Sequence, residues 1–165
     1  MFCPAGSLPM IFRRYSPADF PQLYAIEEAC FEPPLRFGRA YMRSLLRNRE
    51  TVAWVAEDDG RLAGFAIIEW SGAPADIVGY IQTIEVSPDF RRRGVGIELL
   101  RRLEASAREA GAKQIWLHVD TQNEPAIRLY RSEGYVPKAR HAGYYGRSRD
   151  AEIYCKELQP GQSAG

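Results

Sequence analysis

Arg91-Arg92-Arg93-Gly94-Val95-Gly96 is the stretch that decides how this chain is interpreted, because it lies between a predicted strand and a predicted helix. The N-terminus of a helix presents unpaired backbone N–H groups and the positive end of the helix dipole, so it favours a bound anion. Glycine lets a ligand approach the backbone closely. The stretch lacks the G-x-x-x-x-G-K-S/T pattern of a nucleotide phosphate loop, and Leu99 occupies the third-glycine position of a dinucleotide fingerprint. It therefore predicts either a pyrophosphate-binding turn of another kind or simply a tight turn between the strand and the helix.

The segments on either side of this turn carry strand-like and helix-like patterns. Periodicity and turn residues predict strands at 11–15, 51–57, 61–70, 76–86 and 114–119, helices at 16–30, 38–48, 95–110 and 123–132, and two further strands across a Tyr144-Tyr145-Gly146 loop. No repeat or interdomain linker interrupts them. We expect a single α/β domain over residues 11–158, with residues 1–10 as a flexible leader and residues 159–165 as a C-terminal tail.

The composition argues against several classes of protein. The chain has 165 residues, with 22 Lys and Arg against 21 Asp and Glu and a net charge of +1. Nucleic acid is therefore not expected as a partner, since phosphate binding needs a basic excess. The longest apolar run, 62–68, is far shorter than the ~20 residues of a membrane span. Cys3, Cys30 and Cys155 form neither a disulfide framework nor a C-x-x-C pair, so we expect no metal and a reducing cytoplasm.

Two motifs carry a resemblance to a known family. Arg91, Gly94 and Gly96 match the Q/R-x-x-G-x-G/A loop that binds the pyrophosphate of acetyl-CoA in the GNAT superfamily of N-acetyltransferases. A second motif of the superfamily is matched at five positions, which are Asn123, Ala126, Tyr130, Gly134 and Tyr135. The resemblance covers 11–158, and 116–135 is most similar to the ribosomal-protein-alanine and eukaryotic N-terminal amine acetyltransferases. It implies a central mixed, largely antiparallel sheet of about seven strands flanked by about four helices.

The resemblance also implies where acetyl-CoA binds. Two strands are expected to splay apart near Val86 and after Val119, so that the pantetheine arm lies between them. The Val86 N–H would stabilise the thioester oxyanion, where developing charge needs a fixed donor. Asn123 is expected to contact the pantetheine, to cap its helix, or to do both. The residues expected to bind acetyl-CoA are Ile84, Glu85, Val86, Arg91, Arg92, Arg93, Gly94, Val95, Gly96, Ile97, Asn123, Ala126 and Tyr130.

Three side chains are candidates for the proton transfers of acetyl transfer to an amine. Tyr130 matches the family tyrosine that faces the sulfur of CoA, and a phenol with a pKa of ~10 can protonate a departing thiolate. His118 is the expected base, because its unperturbed pKa of ~6.5 suits proton acceptance near neutrality. One eukaryotic N-terminal acetyltransferase type pairs a histidine at this position with a tyrosine that matches Tyr80. We therefore expect Tyr80 and His118 to hold a water that relays the amine proton.

Strand alternation assigns these side chains to faces of the sheet. Gln114, Trp116 and His118 are expected to share one face, and Tyr80, Gln82 and Ile84 are expected to share one on the preceding strand. The same alternation points Glu85, the reserve base, away from Tyr80. His141 lies in a surface-like segment and is expected to be structural.

The acceptor is indicated by two loops. Tyr144 and Tyr145 stand where the N-terminal acetyltransferases have a tyrosine-bearing loop, and Phe31, Pro33 and Leu35 stand where a substrate loop is expected. Both resemble a peptide slot, and an α-amine of pKa ~8 is easier to deprotonate than a lysine of pKa ~10.4. We therefore expect direct transfer to a protein or peptide N-terminus. A small amine such as an antibiotic or polyamine, or a non-catalytic CoA-binding module, is the alternative. We expect a monomer or homodimer that acts without membrane or metal.

Overall fold

The computed structural model describes residues 9–159, so most of the predicted leader and tail lies outside the described residues. Within this range the chain forms seven strands and four α-helices. The strands are β1 (Ile11–Arg14), β2 (Thr51–Asp58), β3 (Arg61–Ser71), β4 (Val78–Val86), β5 (Gln114–Asp120), β6 (Val136–His141) and β7 (Ala151–Glu157). The helices are α1 (Phe20–Cys30), α2 (Arg39–Arg47), α3 (Val95–Glu109) and α4 (Glu124–Ser132). Both numbers agree with those the resemblance implies.

All seven strands form one sheet in the order β1-β2-β3-β4-β5-β7-β6. The β4–β5 pair is parallel, and the five other pairs are antiparallel. Connections between antiparallel neighbours can be short, whereas a parallel pair needs a long crossover. Here α3 makes that crossover between β4 and β5. The sheet is therefore mixed and largely antiparallel, as expected.

The parallel pair is incomplete, and this opens a gap in the sheet. Pairing between the two strands stops at Ile81 opposite Leu117. β4 nevertheless continues to Val86, and β5 continues to Asp120. The C-terminal ends of both strands diverge, as the resemblance implies, and a backbone edge on each is left without a strand partner.

Helices cover both faces of the sheet. On one face, called the α3 face, Leu99 and Leu103 of α3 are fully buried in the larger of two apolar clusters. On the opposite face, called the α1 face, Leu23 of α1 and Met42 of α2 are fully buried in the smaller cluster. The sheet is thus held between two helical layers, and the gap between β4 and β5 lies in the middle layer.

One extra residue in β4 interrupts the regular pairing with β3. Ile67 lies opposite Thr83, while its neighbour Ile68 lies opposite Ile81. Gln82 therefore has no residue opposite it and forms a β-bulge. A bulge bends the strand and shifts the alternation of its side chains by one position.

The bulge corrects two expectations about β4. Ile84 packs with Ile81 on the α3 face, so the predicted grouping of Tyr80, Gln82 and Ile84 on one face is wrong. Glu85, which strict alternation points away from Tyr80, turns to the α1 face, where its carboxyl meets α1. The predicted grouping of β5 side chains holds, because the residues that alternate with His118 are buried on the α3 face.

Candidate active site

The turn before α3 has the free donors that an anion needs. Gly94 caps this 15-residue helix with a left-handed backbone, φ 76°, and no side chain bonds this end of the helix. The first intrahelical hydrogen bond runs from the Glu98 N–H to the Gly94 carbonyl at 3.2 Å. The N–H groups of Val95, Gly96 and Ile97 precede that bond, so they are available to a ligand. This geometry fits the predicted pyrophosphate turn.

Gly96 places this turn against the mouth of the gap. A Cβ atom added at Gly96 would lie 3.6 Å from Val86 and 3.7 Å from Leu129, which are ordinary van der Waals distances. Neither the packing nor the backbone of the chain demands a glycine here, in contrast to Gly94 with its left-handed backbone. The absence of a side chain leaves room for a ligand that passes between β4 and α4.

The register of β4 shows which backbone groups point into the gap. The Ser87 N–H donates to the Ala63 carbonyl of β3 at 2.8 Å. Antiparallel ladders alternate between bonded and non-bonded pairs, so Val86 and Ile84 turn their N–H and C=O groups away from β3 and toward the gap. Glu85 instead turns its backbone groups to β3, and its expected backbone contact with acetyl-CoA is therefore wrong. The predicted oxyanion donor, the Val86 N–H, faces the gap.

The three arginines of the turn have different surroundings. The Arg91 Nε donates to the Val86 carbonyl at 3.4 Å, which places its guanidinium at the rim of the gap. Arg92 has a left-handed backbone, φ 63°, and is exposed. The Arg93 guanidinium lies 5.3 Å above the ring of Phe90. Arg91 is thus the arginine whose side chain the structure brings to the gap.

Asn123, at the start of α4, and Tyr130, within α4, are two of the residues expected to bind acetyl-CoA. The Asn123 Oδ1 accepts the Ala126 N–H at 3.3 Å, so Asn123 caps the helix. Tyr130 is 6% exposed, and its ring packs edge-on against that of Tyr135 at 5.6 Å. Burial, and then the nearby Tyr145 hydroxyl, raise the pKa of Tyr130. Tyr130 therefore holds its proton at neutral pH, which is the form that an acid needs.

Tyr80 and His118 form a hydrogen-bonded couple on the α1 face. Their side chains come from the paired part of β4 and β5, and the Tyr80 hydroxyl lies 2.8 Å from the His118 Nδ1. Burial, followed by the Tyr144 hydroxyl, raises the pKa of Tyr80, and burial, followed by His141, lowers the pKa of His118. In the neutral tautomer with its proton on Nε2, the His118 Nδ1 accepts the Tyr80 hydroxyl. Because the two side chains are in direct contact, a water held by the couple would touch it from outside, and that water stays a prediction.

Aromatic rings of the β6–β7 connection close over this couple. The ring of Tyr144 stacks on that of His118, with centroids 4.3 Å apart and planes at 15°. His141 packs 4.9 Å from Tyr144 and 5.8 Å from His118, so it belongs to the site, contrary to the expectation of a purely structural role. Tyr145 meets Tyr144 edge-on at 4.8 Å. The structure thus brings both predicted loop tyrosines to His118.

From the side of α1 and α2, the residue that reaches this cluster is one that the sequence did not single out. Among the described residues, no hydrogen bond or ring contact joins Phe31, Pro33 or Leu35 to His118. Tyr41 of α2, which is 51% exposed, is the residue that faces the site from this side. Its pKa is raised by burial, then by Glu69 and Tyr144, so its hydroxyl lies near both.

Glu69 is a further residue that the sequence did not single out. It lies directly opposite Tyr80 in the β3–β4 register and is half-buried. None of the ion pairs between described residues includes it. The sequence did contain a signal for this residue, because Glu69 is an acidic side chain at the end of an otherwise apolar strand. It supplies negative charge beside the Tyr80–His118 couple.

Glu85 is unsuited to the role of reserve base. Its side chain is 3% exposed, and its Oε2 accepts the Thr83 hydroxyl at 2.7 Å. Burial, followed by contact with Glu27 of α1, raises the pKa of Glu85 well above its ordinary value. A carboxyl that holds its proton cannot accept another, so Tyr80 and His118 remain the better-placed groups.

Two further features bear on the class of site. Within residues 9–159, no three His, Cys, Asp or Glu side chains are grouped as metal ligands. Over the same range, every helix is too short or too polar to cross a membrane.

Comparison with known proteins shows which family this chain belongs to. The Acetyltransferase (GNAT) family matches residues 20–135, which include both motifs. The chain belongs to this family. Membership confirms the resemblance to this superfamily, and acetyl-CoA is the donor that GNAT enzymes use. The free N–H groups of the α3 turn and the open edge of β4 fit that donor.

Individual GNAT proteins resemble this chain to different extents. An N-alpha-acetyltransferase from Sulfurisphaera tokodaii is 32% identical over 124 residues, covering 68% of this chain and 73% of that protein. Streptothricin acetyltransferase from Streptomyces lavendulae is 43% identical over 78 residues, covering 47% of this chain. The chain spans only 40% of that relative and 43% of an uncharacterized protein from Mycobacterium leprae. The ribosomal-protein-S18-alanine N-acetyltransferase from Escherichia coli has the same fold, with a TM-score of 0.81 at 24% identity over 94% of this chain and 98% of that one.

Proposed function

We propose that this GNAT protein transfers acetyl from acetyl-CoA directly to the N-terminal α-amine of a protein or peptide. The observation that carries the proposal is the Tyr80–His118 couple, with its 2.8 Å contact, on the acceptor side of a sheet whose gap provides the donor site. The relative from Sulfurisphaera tokodaii, named as an N-alpha-acetyltransferase, supports the choice of acceptor. The free thiols of Cys30 and Cys155 support a cytoplasmic location.

The donor is held by backbone groups on both sides of the gap. The N–H groups of Val95, Gly96 and Ile97, with the Arg91 guanidinium at the rim, would bind the pyrophosphate. The backbone edge of Ile84 and Val86 would bind the pantetheine arm. In this arrangement the Val86 N–H is a fixed donor for the thioester oxygen, and such preorganised donors contribute ~3–4 kcal/mol of transition-state stabilisation.

The acceptor proton leaves through the Tyr80–His118 couple. The Tyr80 oxygen takes a proton from the amine while the Tyr80 hydroxyl gives its own proton to the His118 Nδ1. The imidazole then carries protons on both nitrogens and returns one to solvent. The lowered pKa of His118 keeps the imidazole neutral and ready to accept at neutral pH. A water outside the couple, in contact with Tyr80, would extend the same path to a more distant amine.

Tyr130 completes the reaction on the donor side. Its hydroxyl gives a proton to the departing thiolate, and the tyrosinate that remains is reprotonated from solvent. The raised pKa of Tyr130 ensures that it starts in the protonated form. Proton donation of this kind contributes a factor of about 10²–10⁴.

A small-molecule amine is the second candidate acceptor. The match to streptothricin acetyltransferase, at 43% identity over 78 residues, favours it. Glu69 beside Tyr80 would suit a polycation, because its carboxylate has no ion-pair partner among the described residues.

The test is thiol release from acetyl-CoA with two sets of acceptors. One set is peptides that differ in their N-terminal residue, and the other is polyamines and aminoglycosides, each measured with wild type and His118→Ala. Turnover of peptides that is lost in the variant supports the proposal. Turnover of small amines alone replaces it with the second candidate. Tight acetyl-CoA binding without turnover of either set overturns the assignment of both acceptor classes.

A further inference from the structure

Two buried carboxyl groups meet between α1 and β4, away from the Tyr80–His118 couple. Glu27 of α1 is 0% exposed and Glu85 of β4 is 3% exposed. Each uses one oxygen: the Glu27 Oε1 accepts the Phe37 N–H at 2.8 Å, and the Glu85 Oε2 accepts the Thr83 hydroxyl at 2.7 Å. The other two oxygens, Glu27 Oε2 and Glu85 Oε1, are buried without a donor.

A single proton between the two carboxyl groups gives both of the remaining oxygens a hydrogen-bond partner. Two ionised carboxylates in contact inside a protein repel each other and lose their hydration, so one of the pair stays protonated. A proton on Glu85 Oε1 lets this carboxyl donate to Glu27 Oε2, and all four oxygens then have partners. The buried pair carries one negative charge in that state.

We propose that Glu27 and Glu85 share one proton and act as a positioning pair, which holds the acceptor loop, residues 31–38, against the strand that presents Val86. The proposal rests on the proposed function, because it takes residues 31–38 as the substrate loop that the sequence analysis expects for the acceptor. The pair is not part of the proton path, since its nearest bonded groups are Phe37 and Thr83.

The contacts at each end of the pair connect it to the acceptor loop on one side and to the oxyanion donor on the other. α1 holds both backbone groups of Phe37, because the Tyr24 hydroxyl donates to the Phe37 carbonyl at 2.9 Å while Glu27 accepts its N–H. Glu85 immediately precedes Val86, whose N–H faces the gap. A shift of the carboxyl pair would therefore move the acceptor loop relative to the oxyanion donor.

The groups around Glu85 leave Glu27 as its main electrostatic partner. Cys30 of α1 is the next titratable neighbour, and burial, followed by Glu85, raises the pKa of its thiol to about 11. Arg91 contacts the Cys30 Sγ at 3.8 Å from the far side. On β3, the residue paired with Glu85 is Phe65, which is apolar and fully buried. Removal of the shared proton at alkaline pH therefore creates an uncompensated second charge.

Two substitutions at Glu85 distinguish a role in positioning the acceptor loop from a role in stabilising the fold alone. Glu85→Gln replaces the shared proton by an amide N–H, which still donates to Glu27, so the acceptor KM stays near the wild-type value at neutral pH. Glu85→Ala removes the donor, and we expect the acceptor KM to rise about tenfold, the effect of losing one hydrogen bond to a charged group, with kcat and the KM of acetyl-CoA nearly unchanged. Glu109→Gln, at an exposed position of α3, is the control.

The deciding measurement is the pH dependence of the acceptor KM together with the amide resonance of Phe37. In wild type we expect KM to rise and the Phe37 resonance to shift as the pair loses its proton with rising pH. Both changes are absent in Glu85→Gln. An alkaline change that is the same in wild type and Glu85→Gln, or an unchanged KM in Glu85→Ala, overturns the proposal. The Phe37 resonance needs no acceptor, so an enzyme that acetylates no peptide can still show that the pair holds the loop.

Discussion

The proposed donor side and the proposed acceptor side of this sheet are built from different parts of the chain. The donor side consists mainly of backbone groups from two neighbouring segments, the end of β4 and the turn that begins α3. The acceptor side consists of side chains from β3, β4, β5, α2 and the β6–β7 connection. A backbone site depends on local conformation, so a glycine pattern encodes it. A side-chain site depends on tertiary register, so five distant segments must be placed before it exists.

The two sides also differ electrostatically. The turn before α3 offers free N–H groups and arginines to an anion. The acceptor side offers Glu69, a neutral His118 and several tyrosines to an amine. Substitutions on the donor side should therefore change acetyl-CoA binding or thiolate departure, and those on the acceptor side should change amine activation.

Removal of the Tyr130 hydroxyl is expected to have the largest effect. Tyr130→Phe keeps the buried ring but removes the proton for the thiolate, so kcat falls by a factor of about 10²–10⁴ while acetyl-CoA still binds. Steady-state kinetics and calorimetric titration measure the two quantities. Tyr135→Phe is the control, because the ring of Tyr135 packs against that of Tyr130 and its buried hydroxyl has no hydrogen-bond partner among the described residues. Equal losses in the two variants would contradict the assignment.

The Tyr80–His118 couple is expected to act as a unit. Tyr80→Phe and His118→Ala should each lower kcat/KM for the acceptor by a factor of about 10², and the double variant should be no worse than either single one. Protonation of the α-amine, with a pKa of ~8, lowers kcat/KM first as the pH falls. The pKa of His118 is lowered, so the further fall in wild type that is due to His118 should come only below the ordinary histidine pKa of ~6.5. Losses that multiply in the double variant would show that the two residues work separately.

Protonation of His118 also has a consequence for stability. Its pKa is lower in the folded state than in the unfolded chain. The neutral imidazole therefore stabilises the fold fully above the unfolded pKa of ~6.5, and this contribution is lost as the pH falls through the folded value. The melting temperature of wild type, compared with that of His118→Ala across mildly acidic pH, measures the effect. A parallel pH dependence in the two proteins would contradict it.

Strain at Gly94 is expected to have a smaller effect that is confined to the donor side. Gly94→Ala forces a side chain into a left-handed backbone at a cost of about 1–2 kcal/mol, and relaxation of the turn should raise the KM of acetyl-CoA about tenfold. Gly111→Ala is matched, since Gly111 has a φ of 80° beyond the other end of α3 with open space around it. It should lose similar stability and keep the wild-type KM. A raised KM in both variants would mean that general destabilisation is the cause.

The smallest expected effect separates the two roles of Asn123. Asn123→Ala removes the cap of α4 and costs about 1 kcal/mol of stability, whereas Asn123→Ser keeps a capping oxygen. An acetyl-CoA KM that rises in both variants identifies a contact between the amide and the pantetheine. A KM that changes only with stability leaves Asn123 as a cap.

The sequence predicts the donor side better than the acceptor side for physical reasons. Helix and strand patterns are local, and the elements that they predict are confirmed. The glycines of the turn are also a local signal, and their role in binding stays a prediction. The bulge at Gln82 arises from pairing with β3, and it reverses the facing of Ile84 and Glu85 that strict alternation gives. His141 reaches His118 only because β6 pairs with β7 and β7 pairs with β5. Such placements depend on contacts between distant segments, which local patterns do not encode.

Competition between two amines of one peptide tests the central claim most directly. A peptide with a free α-amine and one lysine is incubated with the enzyme and acetyl-CoA at neutral pH, and mass spectrometry locates the acetyl group. The α-amine, with a pKa of ~8, has a far larger neutral fraction than lysine with a pKa of ~10.4. We expect acetylation of the α-amine in wild type and its loss in His118→Ala. Acetylation of the lysine in preference to the α-amine would contradict it.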